Sequence, residues 1–531
     1  MERVSLAAVD VVVIVVYLAI VVGKGWLLSR RQEDVETYLL AGRRMSYWVV
    51  SISIIASLLS AVTYLGAPTW AFKYDLKFSL GLVCIPLVTP IVIYLFLPFF
   101  YRLNVFTAYQ YLEERFHISM RMVGSVFFIF WRLGWMALVV YAPALAISTL
   151  FEIDWRVCVV LVGLASTVYT VMGGLTAVIW TDVMQFFVLY GGAALIMYVA
   201  ADNTAGGAGY IWTTAMAEGK LQLFDWTPSP FVEVTTWGVI FGLSFTQLAA
   251  YSTDQVAIQR YLSTKSRDEA KRSLIFHAAI IIPVAMAFYA LGIAIWGYYH
   301  QNPEMLAGFR ADQADRILPY FVAQQLPVGL RGLIVAALFA ATMSSIDSGI
   351  NSIATTTLKD FYEGGMRRKL TGAQQLVLAK RWTLIWGLVA TLAAILAGMW
   401  GETLVQMSNK IAGLFSGALL GIFLLGMLTR RSNWQGVLLG ALIGFGGALF
   451  VGFGTMIGAA LPEGWALSRI AASLEEISFL YYSTISCGLT LIFGRLLSEL
   501  FPPPDFDLPM LADVVAEAQP ASAQDAREVG E

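Results

Sequence analysis

Residues 336–358, AALFAATMSSIDSGINSIATTTL, combine an apolar frame with oxygen-bearing side chains. Thr342, Ser344, Ser345, Asp347, Ser348, Asn351 and Ser352 follow one another within it. At 100° per residue, Ser344, Asp347, Ser348, Asn351 and Thr355 share one stripe of a helix. A carboxylate at the centre of a membrane helix costs about 2.5–3.5 kcal/mol on insertion scales. It must therefore face protein, water or a cation. Hard oxygen ligands in a row suit a small alkali cation better than a transition metal. The stretch predicts an interior sodium site in a channel or a transporter.

The rest of the chain supplies a matching frame. Of 531 residues, 58% are hydrophobic and 13% charged, and mean hydropathy is +0.71. Soluble domains carry about 25% charged residues, so the composition predicts an all-α polytopic membrane protein. The net charge of −2 says nothing about nucleic acid; no nucleic-acid partner is expected, and no obligate protein partner is evident. Cys84, Cys158 and Cys487 lie in apolar runs without metal-ligand or disulfide spacing, and read as buried thiols. No GxxxxGK[ST] loop for ATP and no TVGYG-type filter occurs. No cleavable signal is read in residues 1–28.

Apolar runs of about 20 residues place about thirteen spanning helices. They lie near 7–28, 46–66, 77–99, 119–149, 154–173, 176–201, 235–253, 273–299, 328–358, 381–400, 405–428, 433–456 and 475–498. Lys and Arg cluster in alternate loops: Arg30, Arg31, Arg43 and Arg44; Arg102, Arg115 and Arg121; Arg260, Lys265, Arg267, Lys271 and Arg272; Arg367 to Lys369, Lys380 and Arg381; Arg430 and Arg431. The positive-inside rule makes that side cytoplasmic, with the N-terminus outside and the C-terminus inside a plasma (inner) membrane. The loop 300–327 departs from the pattern with Arg310 and Arg316. The Pro-, Ala- and acid-rich stretch 501–531 reads as a disordered cytoplasmic tail.

Other polar positions sit within the spans. Ser57, Ser60 and Thr63 occupy the second helix, which Gly66 and Pro68 are expected to interrupt; such breaks expose half-helix ends that transporters use for ions and substrates. A kinked packing helix is the competing reading. Asp182 begins the sixth helix as a dipole partner or an ion-path residue. Arg132 lies inside the fourth helix and Lys410 in the eleventh, each snorkelling or meeting substrate. Gln247 and Tyr251 share a face of the seventh helix and are expected to line a cavity. Asp254 and Arg260 are expected to form a structural ion pair near one mouth.

Several blocks resemble the sodium/solute symporter family over nearly all of residues 7–500. They are FYRLNVFTAYQYLEERF (100–116), YTVMGGLTAVIWTDVMQ (169–185), DQVAIQRYL (254–262) and SSIDSGINSIATTTLKD (344–360). YAPALAIS (141–148), GGLTAVIWTDV and DQ…QRYL are most similar to its multivitamin, iodide and monocarboxylate branch, and FAATMSSIDSGINS to bacterial sialic acid symporters. The resemblance implies a leucine-transporter-like fold: an extra N-terminal helix (1–28), a 5+5 inverted repeat (45–201 and 235–428) and peripheral helices (433–500). It implies no enzyme, with sodium as the coupling ion and a small-molecule solute as cargo.

By position, the resemblance implies a first sodium site from the carbonyls of Ala56, Leu59 and Ala341 and the hydroxyls of Ser344 and Ser345. A second cation would meet Asp182, Ser344, Asp347 and Ser348, although Asp347 stands where a serine is usual. Substrate would meet Ser60, Thr63, Gln247, Tyr251 and Asn409, with Arg132 one turn before Trp135, which replaces the carboxylate-pairing Arg of sialic acid symporters. Ala250 replaces a gate aromatic of sugar carriers. The expectation is a sodium-coupled importer of a small organic anion working by alternating access. A sialic acid or sugar symporter is the alternative, proton coupling through Asp182 or Asp347 a variant, and an ion channel or leak protein the reading from another class.

Overall fold

The computed structural model describes residues 7–29, 35–103, 105–151, 153–172, 174–307, 309, 311–399, 404–461 and 466–503. The expected tail beyond 503, together with Arg30, Arg31 and Arg310 of the loop pattern, lies outside the described residues. The regular structure of the described residues is helical. Its one β-bridge joins Met45 and Thr264.

The helices that position the site are α1 (Ala8–Ser29), α2 (Tyr47–Leu58), α3 (Ala61–Lys73), α4 (Lys77–Arg102), α5 (Ile118–Phe151), α6 (Trp155–Met172) and α7 (Leu175–Asp202). Then come α8 (Ser244–Ser252), α9 (Gln255–Tyr261), α10 (Arg267–Gln301), α11 (Ile317–Gln325), α12 (Leu330–Thr356), α13 (Gly372–Ala397), α14 (Leu404–Leu428), α15 (Trp434–Gly452) and α16 (Tyr482–Leu497). Among the described residues nine helices are long and apolar enough to cross a membrane, ten if the bent pair α2–α3 is one span. The expected thirteen are not reached by that measure. One reason is that the α6 region carries only a shorter apolar helix. Another is that the 235–253 run winds as a π-helix, then as α8, and stops before Asp254.

The second helix breaks earlier than Gly66 and Pro68 suggested. α2 and α3 meet at 64°. The break falls at Leu59 and Ser60, where Ser60 turns extended and its hydroxyl accepts the Val62 N–H as an N-cap. Pro68 lies inside α3, and the α3 backbone there packs tightly on α10: a Cβ on Gly292 would come within 2.3 Å of the Pro68 carbonyl.

α12 runs through the middle. It packs against α1, α2, α3, α5, α6, α7, α9 and α13, and every residue from Ala340 to Thr356 is buried. Around this core the outer faces are apolar, as on α1, where Val12, Val15, Val16 and Ile20 are exposed. That is the surface a hydrocarbon solvent requires. Asp10 on α1 accepts the N–H groups of Gly329 (2.7 Å) and Gly332 (2.9 Å), so it caps α12 and anchors the first helix to it.

Candidate functional site

The break in α2–α3 leaves carbonyls at the end of α2 with no helical partner and with the negative end of the helix dipole behind them. α12 lies against them. Ser344 Oγ donates to the Ala56 carbonyl at 2.8 Å and to the Ala341 carbonyl at 3.1 Å. Ser345 Oγ donates to the Ser57 carbonyl at 3.1 Å. Leu59 sits at the break itself and is buried. Four of the five expected ligands, Ala56, Ala341, Ser344 and Ser345, thus meet at one place, and Leu59 adjoins it. The groups are neutral, short-range oxygen donors, the type that holds an alkali cation without a fixed counter-charge.

The remainder of the α12 stripe is divided among other helices. Asp182 Oδ2 on α7 accepts from Ser53 Oγ (2.5 Å), Ser57 Oγ (3.3 Å) and Arg260 Nη2 (3.1 Å). Arg260 also donates to Ser53 Oγ at 2.9 Å and to Ser348 Oγ. The guanidinium therefore fills the space between Asp182 and Ser348. Further along, Gln259 of α9 donates to Asn351 Oδ1 (3.0 Å) and accepts from Ser352 Oγ (2.7 Å). Asp347 shares no hydrogen bond with Asp182 or Ser348; its Oδ1 accepts from Thr170 Oγ1 at 2.6 Å. The second-cation set is therefore not assembled as expected, because Arg260 supplies the positive charge there.

Arg260 is also not a loop residue. It is fully buried in α9, a half-helix whose residues are all buried. The expected Asp254–Arg260 pair does not form. Asp254 caps α9 through the Val256 N–H (2.9 Å) and forms its ion pair with Arg132 of α5. Lys410 pairs with Glu475 at 3.7 Å.

Beside the break lies a cavity of about 230 Å³. Of the expected substrate residues, Thr63, Arg132, Gln247, Tyr251 and Asn409 line it, together with Trp135 and Ala250. Its other walls are mostly apolar, from Leu59, Val62, Phe78, Leu82, Leu243 and Val405 among others. Ser60 is a correction: it is buried outside this lining as the cap of α3. Tyr251 lines the cavity, and its hydroxyl bonds His277 Nε2 at 2.6 Å. Arg132 Nε has no hydrogen-bond partner. Sequence reasoning missed Ser53 and His277. Ser53 carries a readable signal, one turn before Ser57 on the same face of α2.

Known proteins are similar to this chain in sequence and in fold. A family model described as the sodium:solute symporter family matches residues 38–444. The chain is similar to the sodium/sialic acid symporter NanT of Aliivibrio fischeri, with 32% identity over 94% of this chain and 95% of that protein. It is also similar to human sodium-coupled monocarboxylate transporter 1, with 34% identity over 81% of this chain and 70% of that protein. Among solved structures, a substrate-bound, outward-open sodium-coupled sialic acid symporter with a novel sodium site superposes at TM-score 0.80, with 31% identity, over 94% of this chain and 99% of that one. A nucleobase-cation symporter matches in fold alone, at TM-score 0.52 and 12% identity over 88% of this chain and 95% of that one.

Proposed function

This chain belongs to the sodium:solute symporter family, and from that premise we propose that it imports a small organic anion with sodium. It is a multi-pass transporter rather than an enzyme, with the leucine-transporter-like fold. The observation that carries the reading is the junction of Ser344 Oγ with the Ala56 and Ala341 carbonyls, beside a cavity that starts at Leu59 and Thr63.

In this reading sodium binds the carbonyls of Ala56, Leu59 and Ala341 and the hydroxyls of Ser344 and Ser345. The two hydroxyls give up their bonds to α2 carbonyls and turn their lone pairs to the ion. The ion then ties α2 to α12, and substrate enters beside Thr63, Gln247, Tyr251 and Asn409. Closing the cavity moves α2–α3 against its neighbours and opens the other face. Inward movement of one charge through 100 mV supplies about 2.3 kcal/mol, which drives uptake. The basic loops mark the cytoplasmic face, with the N-terminus outside and the C-terminus inside.

A small anion is favoured by three features. The volume of about 230 Å³ is below the roughly 300–1,000 Å³ of drug-sized pockets. The apolar lining offers few partners for a polyhydroxylated sugar, whose unmatched hydroxyls would each be costly to bury. Arg132 lines the cavity with an unused Nε donor. A sialic acid substrate is the second reading, supported by the likeness to symporters of that acid. The test is uptake into proteoliposomes of labelled monocarboxylates, vitamin-like acids and sialic acid, with and without an inward sodium gradient. Gradient-driven, saturable monocarboxylate uptake supports the reading. Sodium flux uncoupled from any solute would replace it with a channel.

A further inference from the structure

Three other buried acidic residues of the core have a cationic partner. Asp182 has Arg260, Asp254 has Arg132, and Asp360 has Arg121 at 2.7 Å. Asp347 is fully buried, and among the described residues it has no Lys, Arg or His in an ion pair. It receives the one hydrogen bond from Thr170, and its Oδ2 has no partner. Other orphaned polar atoms surround it. Tyr17 of α1 packs against Met343, one turn of α12 from Asp347, with its hydroxyl towards Gln185 and without a hydrogen-bond partner. Both side-chain polar atoms of Gln185 on α7, which is 1% exposed, are likewise without partners. Thr170 completes the group from α6, its hydroxyl shared between Asp347 and the Ser166 carbonyl (2.8 Å).

Buried polar groups are almost always paired, and a buried charge requires compensation. Here four helices bring a carboxylate, a phenol, a carboxamide and a hydroxyl to one place, and the acceptors exceed the donors. We propose that Asp347, Thr170, Tyr17 and Gln185 hold one further monovalent cation, separate from the ion at Ala56, Ser344 and Ser345 and from the Asp182–Arg260 pair. All four groups are hard oxygen donors, so sodium fits them; a proton on Asp347 would answer the same charge. Tyr17 brings the N-terminal helix into the site, at a depth fixed by Asp10 on the N-terminus of α12. The inference rests on the symporter reading and adds to it a second coupled charge.

The probe is sodium itself, needing no knowledge of the solute. Equilibrium binding of radioactive sodium to the purified full chain counts ions, and infrared spectroscopy reports a protonated buried carboxyl. If sodium is the occupant, Asp347→Asn binds one ion fewer than wild type. If it is a proton, the sodium count is unchanged and a protonated-carboxyl band is lost in Asp347→Asn. An unchanged count with no band lost overturns the proposal and leaves buried water as the occupant. Tyr17→Phe and Gln185→Leu keep the carboxylate and guard against misfolding of the first variant; each weakens sodium binding about tenfold or more in the sodium case. Ser345→Ala separates the two readings. Loss of an ion there with none lost in Asp347→Asn, and no band lost, sinks only this inference. Absence of sodium binding in wild type sinks the symporter mechanism itself.

Discussion

Arg260 Nη2 lies 3.1 Å from Asp182 Oδ2, and both side chains are fully buried in the centre of the protein. Removing one member of such a pair strands the other charge at about 3–5 kcal/mol, whereas removing both costs far less. Arg260→Met and Asp182→Asn are each expected to lower thermal stability strongly, and the double variant to recover most of it. Thermal unfolding of the purified proteins checks this. Additive losses in the double variant would mean that the two groups do not interact.

Arg132 has two tasks, holding Asp254 and lining the cavity. Arg132→Ala should therefore fail to accumulate folded protein, while Arg132→Ala with Asp254→Ala should fold and transport poorly. Size-exclusion profiles and uptake separate the two effects. Well-folded Arg132→Ala with normal uptake would remove Arg132 from the substrate site and from the buried pair together.

Gln247 lines the cavity and makes no side-chain hydrogen bond among the described residues. Gln247→Leu should raise KM for the solute about 5- to 150-fold, the range of one lost polar contact worth 1–3 kcal/mol, with sodium binding unchanged. By contrast Tyr251→Phe leaves His277 Nε2 without its 2.6 Å partner, and should lower stability by about 1–3 kcal/mol. Kinetics and unfolding measured on both variants check the contrast.

The segment Ala311–Gln325, which precedes α12, is expected to hold its neighbours in a pH-dependent way. Asp315 Oδ2 accepts the Leu404 N–H at 3.0 Å, at the start of α14, and neighbouring Ala314 accepts from Thr69 Oγ1 on α3 at 3.2 Å. Burial raises the Asp315 pKa to about 6, against the opposing pull of Leu404, Lys73 and Thr69. A raised carboxyl pKa stabilises the docked state below the ordinary value of about 4, and that stability is lost as pH rises through about 6. The segment is expected to hold more tightly to α3 and α14 at pH 5 than at pH 7.5, and Asp315→Asn to erase the difference. Spin-label distances between this segment and α14 across that range check it; a tighter contact at pH 7.5 would reverse the sign.

The helical frame and the buried polar stripe of α12 were legible because they rest on composition and on one helix. The apolar runs predict spanning helices, and the hydroxyl-rich turn at Ser344 and Ser345 identifies the face that meets α2. What escaped the sequence was pairing across distance. Asp254 caps α9 and Arg260 lies six residues on, about 240° around the same helix, so they meet different partners, Arg132 of α5 and Asp182 of α7. Ser60 looked like a cavity residue because a serine in an apolar run is equally a ligand or a cap. Only the φ/ψ at the break decides, and there it caps α3. Pro68 misled in the opposite way, since Pro marks where a helix loses a bond rather than where it must end.

The central claim is that Ser344 and Ser345 exchange their bonds to the Ala56 and Ser57 carbonyls for a sodium ion that powers uptake. The most direct measurement is solute uptake against external sodium in proteoliposomes holding wild type, Ser344→Ala or Ser345→Ala. Both variants are expected to fold, since each loses one hydroxyl from a small-residue contact. The account predicts that sodium-driven uptake vanishes in both while purified yield is retained. Uptake with undiminished sodium dependence in either variant would contradict it.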